Sequence, residues 1–121
     1  CNTMGTASSM NSIAEALGMS LTGGAIIPAP YKERETISFE TGKRIVEMVH
    51  EDLTPSKIMT KESFENAIFV ASAIGASSNC PPHLTAIARH MGIDIEIENW
   101  EKLGHYITLL VNCQPAGEHL M

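Results

Sequence analysis

Apolar residues recur every three to four positions in four stretches of the chain, and residues that start or stop helices stand at the borders of those stretches. Thr6 to Leu17 carries Met10, Ala14 and Leu17 on one stripe, and Gly18 is a fitting stop. Ser20 to Tyr31 breaks the period with LTGG and AIIPAPY, where Pro28 and Pro30 exclude a regular helix and push the residues before them toward extended geometry. The spacing predicts a second helix over about Ser38 to Leu53, with Ile45, Val49 and Leu53 four apart and Val46 widening the stripe; Gly42 weakens its first turns and Thr54-Pro55 ends it. After the connector TPSKIM, Thr60 is a good N-cap for a third helix, with Glu62 in the favourable first turn and Phe64, Ala67, Ile68, Ala71 and Ile74 on its inner face. GASSN, residues 75–79, interrupts the pattern. Pro81 and Pro82 then suit the first turn of a fourth helix reaching Met91, with Leu84, Ile87, Ala88 and Met91 inward and Gly92 beyond its end.

The last thirty residues read differently. DIEIENW alternates briefly, which predicts a short strand over Ile93 to Ile97, and Asn99 is a cap for a helical turn holding Trp100 and Leu103. ITLLVN, residues 107–112, does not alternate and reads as a buried, parallel strand that feeds the polar turn CQPAGEH. At least four helices and one convincing strand do not make a sheet. The expected architecture is therefore a helix-rich fragment of a larger open-sheet α/β domain, with the strand's partners outside this sequence.

Composition narrows the classes. The 121 residues allow one compact domain and no second core. The apolar fraction of 44% and charged fraction of 18% are those of a globular chain. Fourteen acidic against eight basic residues, a formal charge of −6, disfavour nucleic-acid binding, which needs a positive face. No apolar run is long enough to span a bilayer, and no signal-peptide pattern is present, so no membrane partner is expected. Three widely spaced cysteines, Cys1, Cys80 and Cys113, argue against a disulfide scaffold and for a reducing, cytoplasmic setting; no CxxC, CxxH or HExxH motif closes a metal site.

Two stretches can carry chemistry. Cys1 precedes a helix whose first-turn amides favour a thiolate, which suits a metal ligand or a nucleophile; the local features alone favour the plainer reading of an unused thiol. Thr3, Gly5, Thr6, Ser8 and Ser9 around that helix start either line an anion pocket or serve as caps and close-packing residues. In GASSN, Ser77, Ser78 and Asn79 can donate to a substrate oxyanion, or simply satisfy a helix–helix connector. Among the histidines, His83 is the best acid–base candidate, because it stands in a helix first turn beside GASSN; His90 and His105 follow. Cys80 and Cys113 read as structural, and the methionines as packing.

The stretches CNTMGTASSMNSIAEALGMSL, IPAPYKER, KRIVEMVHEDLTPSKIMTKESFENAI, AIGASSNCPPHLTAIARHMGI and LLVNCQPAGEHLM occur in the order and spacing of the dihydroxy-acid and sugar-acid dehydratases, which the chain resembles over essentially its whole length. CNTMGTAS is similar to the aldonic-acid branch, which acts on L-arabinonate and D-xylonate; the amino-acid biosynthetic members typically have a CGGMYTAN-like stretch there. The resemblance implies that residues 1–121 are part of the N-terminal α/β domain of a larger two-domain enzyme. It implies that Cys1 is one of three thiolates holding an iron–sulfur cluster, of the two-iron, two-sulfur (2Fe-2S) type in this branch. The other two cysteines, the Mg2+-binding carboxylates and a modified lysine are expected upstream, and the catalytic serine in a C-terminal domain. GASSN stands at a family GGSTN stretch, with Ala76 and Ser78 as small departures, while Cys80 and Cys113 match no cluster ligand.

The implied activity is that of a hydro-lyase of carbohydrate metabolism, which dehydrates a sugar (aldonic) acid to a 2-keto-3-deoxy acid. Hydroxide is a poor leaving group, so an open cluster iron serves as its Lewis acid and magnesium neutralises the carboxylate. Cys1 is then an anchor rather than an acid or base, and the chain alone is expected to be inactive. Family members are usually homo-oligomers. Two other readings stand beside this one: a dihydroxy-acid dehydratase of branched-chain amino acid synthesis, and a non-catalytic helical interaction module.

Overall fold

A computed structural model describes residues 2–121. Six helices are found among them: α1 (Thr6–Ala16), α2 (Glu33–His50), α3 (Pro55–Ile58), α4 (Lys61–Ile74), α5 (Cys80–His90) and α6 (Ile97–Gly104). The helix-rich expectation holds, and three helices match the periodicity closely. Thr60 caps α4 as expected, its hydroxyl accepting from the Ser63 amide while the Ser63 hydroxyl accepts from the Thr60 amide. Helix α1 gives way to Gly18, whose φ of 81° lies in the left-handed region.

Helix α2 starts five residues before the expected Ser38. Its first turn, Glu33 to Thr36, contains no apolar residue, so no stripe announces it; Glu33 and Glu35 instead complement the positive end of the helix dipole. The connector TPSKIM contains a helical turn of its own, with Pro55 at the first helical position, where a missing N–H costs nothing.

Helix α4 is the centre of the molecule. It packs against α1, α6 and α5, and α1 also meets α5. Phe64, Ala67, Ile68 and Ala71 of α4 are buried with Ile13, Leu17, Leu84, Ala88 and Ile95. The alanines leave room for close helix approach, and Phe64, Ile13, Ile68 and Leu84 fill the space between. The inward line of α1 is Ser9, Ile13 and Leu17; it keeps Leu17 of the expected stripe but takes Ser9 and Ile13 in place of Met10 and Ala14, with the buried Ser9 hydroxyl bonded. Met10 is only partly buried against this core.

The two expected strands do not form. Ile93 to Glu96 is irregular: Ile95 is buried, its carbonyl accepts from the Thr85 hydroxyl, and Ile97 already opens α6. The expected cap at Asn99 is displaced: Glu96 is the N-cap of α6, and Asn99 stands inside the first turn, its side-chain oxygen accepting from the Glu96 amide in a capping box, because the helix already starts at Ile97. Residues 107–112 carry no strand ladder, and Leu109 and Leu110 are exposed rather than buried. Only a single bridge, Cys113 to His119, occurs outside the helices among the described residues. The physical reason is the one the pattern itself raised: a strand needs an extended neighbour, and among the described residues none pairs with residues 107–112, whose Leu110 amide donates instead to the Ala73 carbonyl of α4.

The stripe on α2 is also left without a core. Helix α2 has no buried residue, and Ile45, Val46 and Val49 are all exposed. Part of its apolar arc instead walls a cavity of about 260 Å³, shared with Met19, Leu21, Leu53 and Ile58. The loop entering α2 is tied to α1 by Glu15, whose carboxylate accepts from the Gly23 amide at 2.6 Å and the Ala25 amide at 2.9 Å.

Candidate functional site

The two chemically interesting stretches of the sequence meet in space. Gly75, with φ of 62°, ends α4 and turns the chain into residues 75–79, which lie against the N-terminal turns of α1. The Ser77 amide donates to Ser9 Oγ at 2.9 Å. Ser77 Oγ lies 3.0 Å from Thr6 Oγ1, and Asn79 Nδ2 donates to that same Thr6 oxygen at 2.9 Å. The Asn79 amide donates to Ser77 Oγ at 3.3 Å. The three bonds between loop and helix span 68 to 73 residues of sequence and make the loop and the helix start a single polar unit.

Burial is graded across this unit. Ser9 is the one fully buried polar residue of the described core, and its bond to the loop offsets the cost of placing a hydroxyl there. Ser77 is half-buried, while Ser78 and Asn79 are exposed. Helix α1 begins at Gly5 with no capping side chain and no acidic residue in its first turn, so the helix dipole there meets no counter-charge from its own sequence.

A third segment reaches the same end. The Met4 amide donates to the Gln114 carbonyl at 2.6 Å and the Met121 amide to the Asn2 carbonyl at 2.8 Å. Residues 112–121 therefore fold back beside the start of α1, held in a turn by the Cys113–His119 bridge and by Asn112 Oδ1 accepting from the Glu118 amide.

The sequence candidates are placed as follows. Ser77, Ser78 and Asn79 sit together at this junction. Cys1 lies outside the described residues. Cys80 is fully buried, and that burial pushes its thiol up from the usual range, against a smaller opposing effect of the Ser9 hydroxyl. A buried neutral thiol is a packing group, as expected. Cys113 is a half-buried free thiol in the 112–121 turn. His83, His90 and His105 are exposed and belong to no cluster, since no group of three or more His, Cys, Asp or Glu among the described residues is able to hold a metal ion. Spacing alone did not reveal Thr6 and Ser9 as partners of residues 77–79. The available signal was Ser9 itself, a small polar residue four positions before Ile13 on the core side of α1.

The whole chain, residues 1–121, matches the model of the dihydroxy-acid/6-phosphogluconate dehydratase N-terminal family. The chain belongs to this dehydratase family. A D-xylonate dehydratase of Caulobacter vibrioides is 53% identical over 120 residues, covering 99% of the chain and 20% of the relative. An L-arabinonate dehydratase of Rhizobium leguminosarum bv. trifolii is 52% identical over 108 residues, 89% of the chain and 19% of the relative. A dihydroxy-acid dehydratase of Thermodesulfovibrio yellowstonii is 44% identical over 121 residues, all of the chain and 22% of the relative. The dehydratase-family chain thus spans about a fifth of the length of the curated relatives it matches. No helix among its described residues is long and apolar enough to cross a membrane.

Proposed function

We propose that this chain is part of the N-terminal domain of a two-domain hydro-lyase that dehydrates an aldonic acid to a 2-keto-3-deoxy acid. The observation that carries the substrate class is identity: 53% and 52% to D-xylonate and L-arabinonate dehydratases, against 44% to a dihydroxy-acid dehydratase. The described residues do not by themselves fit a metal cluster, since they contain no group of ligands for one. In this reading Cys1 is the chain's one contribution to a 2Fe-2S cluster, and the other ligands, including those for Mg2+, lie outside residues 1–121. The role of the described residues is polar binding. Ser77, Ser78 and Asn79 offer hydroxyl and amide groups, at a fixed junction, to the oxygens of a polyhydroxy acid.

The test uses the complete polypeptide that carries this chain, assayed on a panel of pentonic, hexonic and branched 2,3-dihydroxy acids. Turnover of an aldonic acid with far higher kcat/KM than the branched acids is expected; the opposite order makes it a dihydroxy-acid dehydratase. In the same protein, Cys1→Ser is expected to lower iron content and activity together, with iron and sulfide quantified anaerobically. Normal iron content in that variant removes Cys1 from the ligand set.

A further inference from the structure

We infer that Thr6 is a positioning residue that sets the Ser77 hydroxyl and the Asn79 carboxamide as a paired recognition element for an oxygen-rich anion, a specificity role that rests on the function proposed above. Its hydroxyl is the one atom that meets both side chains, at 3.0 Å from Ser77 Oγ and 2.9 Å from Asn79 Nδ2. Thr6 is the first residue of α1, and that hydroxyl is not spent on the helix, because Gly5 is the N-cap and no side chain caps the turn.

The proton inventory gives the arrangement a direction. Asn79 Nδ2 donates to Thr6 Oγ1, so the Thr6 proton is free to point at Ser77 Oγ. Ser77 Oγ also accepts from the Asn79 amide. Either hydroxyl can donate across the Thr6–Ser77 pair; in the arrangement with Thr6 as donor, the Ser77 hydroxyl keeps its own proton for an outside acceptor. The second N–H and the carbonyl of the Asn79 side chain carry no bond within the described residues and face an exposed position. In that arrangement a relay Asn79 → Thr6 → Ser77 leaves the Ser77 O–H beside a free amide, and such chains strengthen each member. Carboxylate and vicinal hydroxyl oxygens are the chemistry that fits. Ser9 does the separate work of holding the loop backbone through the Ser77 amide, which leaves Thr6 free to act on side chains alone.

The experiment compares Thr6→Val, which keeps the shape and removes the hydroxyl, with Thr6→Ser, which keeps the hydroxyl, in the complete polypeptide. Thr6→Val is expected to raise KM for the preferred acid about tenfold with kcat changed less than about threefold. Iron content and melting temperature should stay at wild-type values, and Thr6→Ser should stay within about twofold of wild type in KM. Amide hydrogen exchange, read without any substrate, should show faster exchange at Asn79 in Thr6→Val only. Unchanged KM in Thr6→Val, equal losses in both variants, or identical exchange at Asn79 overturns the inference. A wild-type protein that dehydrates no acid on the panel overturns the proposed function and the specificity role with it, whereas a working enzyme with an indifferent Thr6→Val overturns this inference alone.

Discussion

A Cβ placed on Gly18 would lie 2.9 Å from a methyl carbon of Ile58, on a backbone already at φ of 81°. Both facts oppose substitution. Left-handed geometry costs an L-residue about 1–2 kcal/mol, and the contact forces Ile58 to move. Gly18→Ala is expected to lower stability by about 1–3 kcal/mol in chemical denaturation, with a lower midpoint and an unchanged slope. At this scale the sequence was a good guide wherever a residue has one dominant use. Gly18 as a stop, Thr60 as a cap and Cys80 as packing were all legible. Ser9 was not, because its position obeys a partner 68 residues away rather than its neighbours.

Elements followed the same logic. Periodicity finds a helix by its apolar face, so α1, α4 and α5 were located to within a few residues. The charged start of α2 gave no such signal. Alternation in DIEIENW and the apolar run ITLLVN were read as strands, yet strand formation is a property of pairs, and a single segment cannot disclose whether a partner exists. Within α2, Gly42 has open space where a Cβ would go and no left-handed backbone. Gly42→Ala is therefore expected to stabilise by about 0.5–1 kcal/mol, the opposite sign to Gly18→Ala, through the lower conformational entropy of the unfolded chain. The ion pairs of Arg44 with Glu47 and Glu51 lie on the exposed side of this helix; the Arg44 bond holds the Glu51 carboxyl below its usual range. Any support from that pair is present above the unfolded carboxylate pKa and fades as pH falls through the lower folded value.

At the scale of the molecule, what was hidden is convergence. The sequence offered CNTMGTASSMN and GASSN as separate candidates, each with a bland reading as caps or connector. Packing of α1 on α4 is what brings Thr6 and Ser9 to Ser77 and Asn79, and no spacing rule within either stretch contains that fact. The resemblance to dehydratases pointed to the family, and the family match spans the whole chain. The geometry adds a division of labour: Ser9 secures the loop's backbone, and Thr6 secures its side chains.

The bond from the Met121 amide to the Asn2 carbonyl places the two ends of this segment side by side, with Gln114 holding Met4 next to them. Topologically the segment is a closed loop with a small gap. The gap can also be moved. Linking residue 121 to residue 2 with a few glycines and opening the exposed turn at Asp52, between α2 and α3, should yield a permuted chain with the same helical circular dichroism and a cooperative unfolding transition. Loss of cooperativity in the permutant would mean that the order of connection, and not only the packing, holds residues 2 and 121 together.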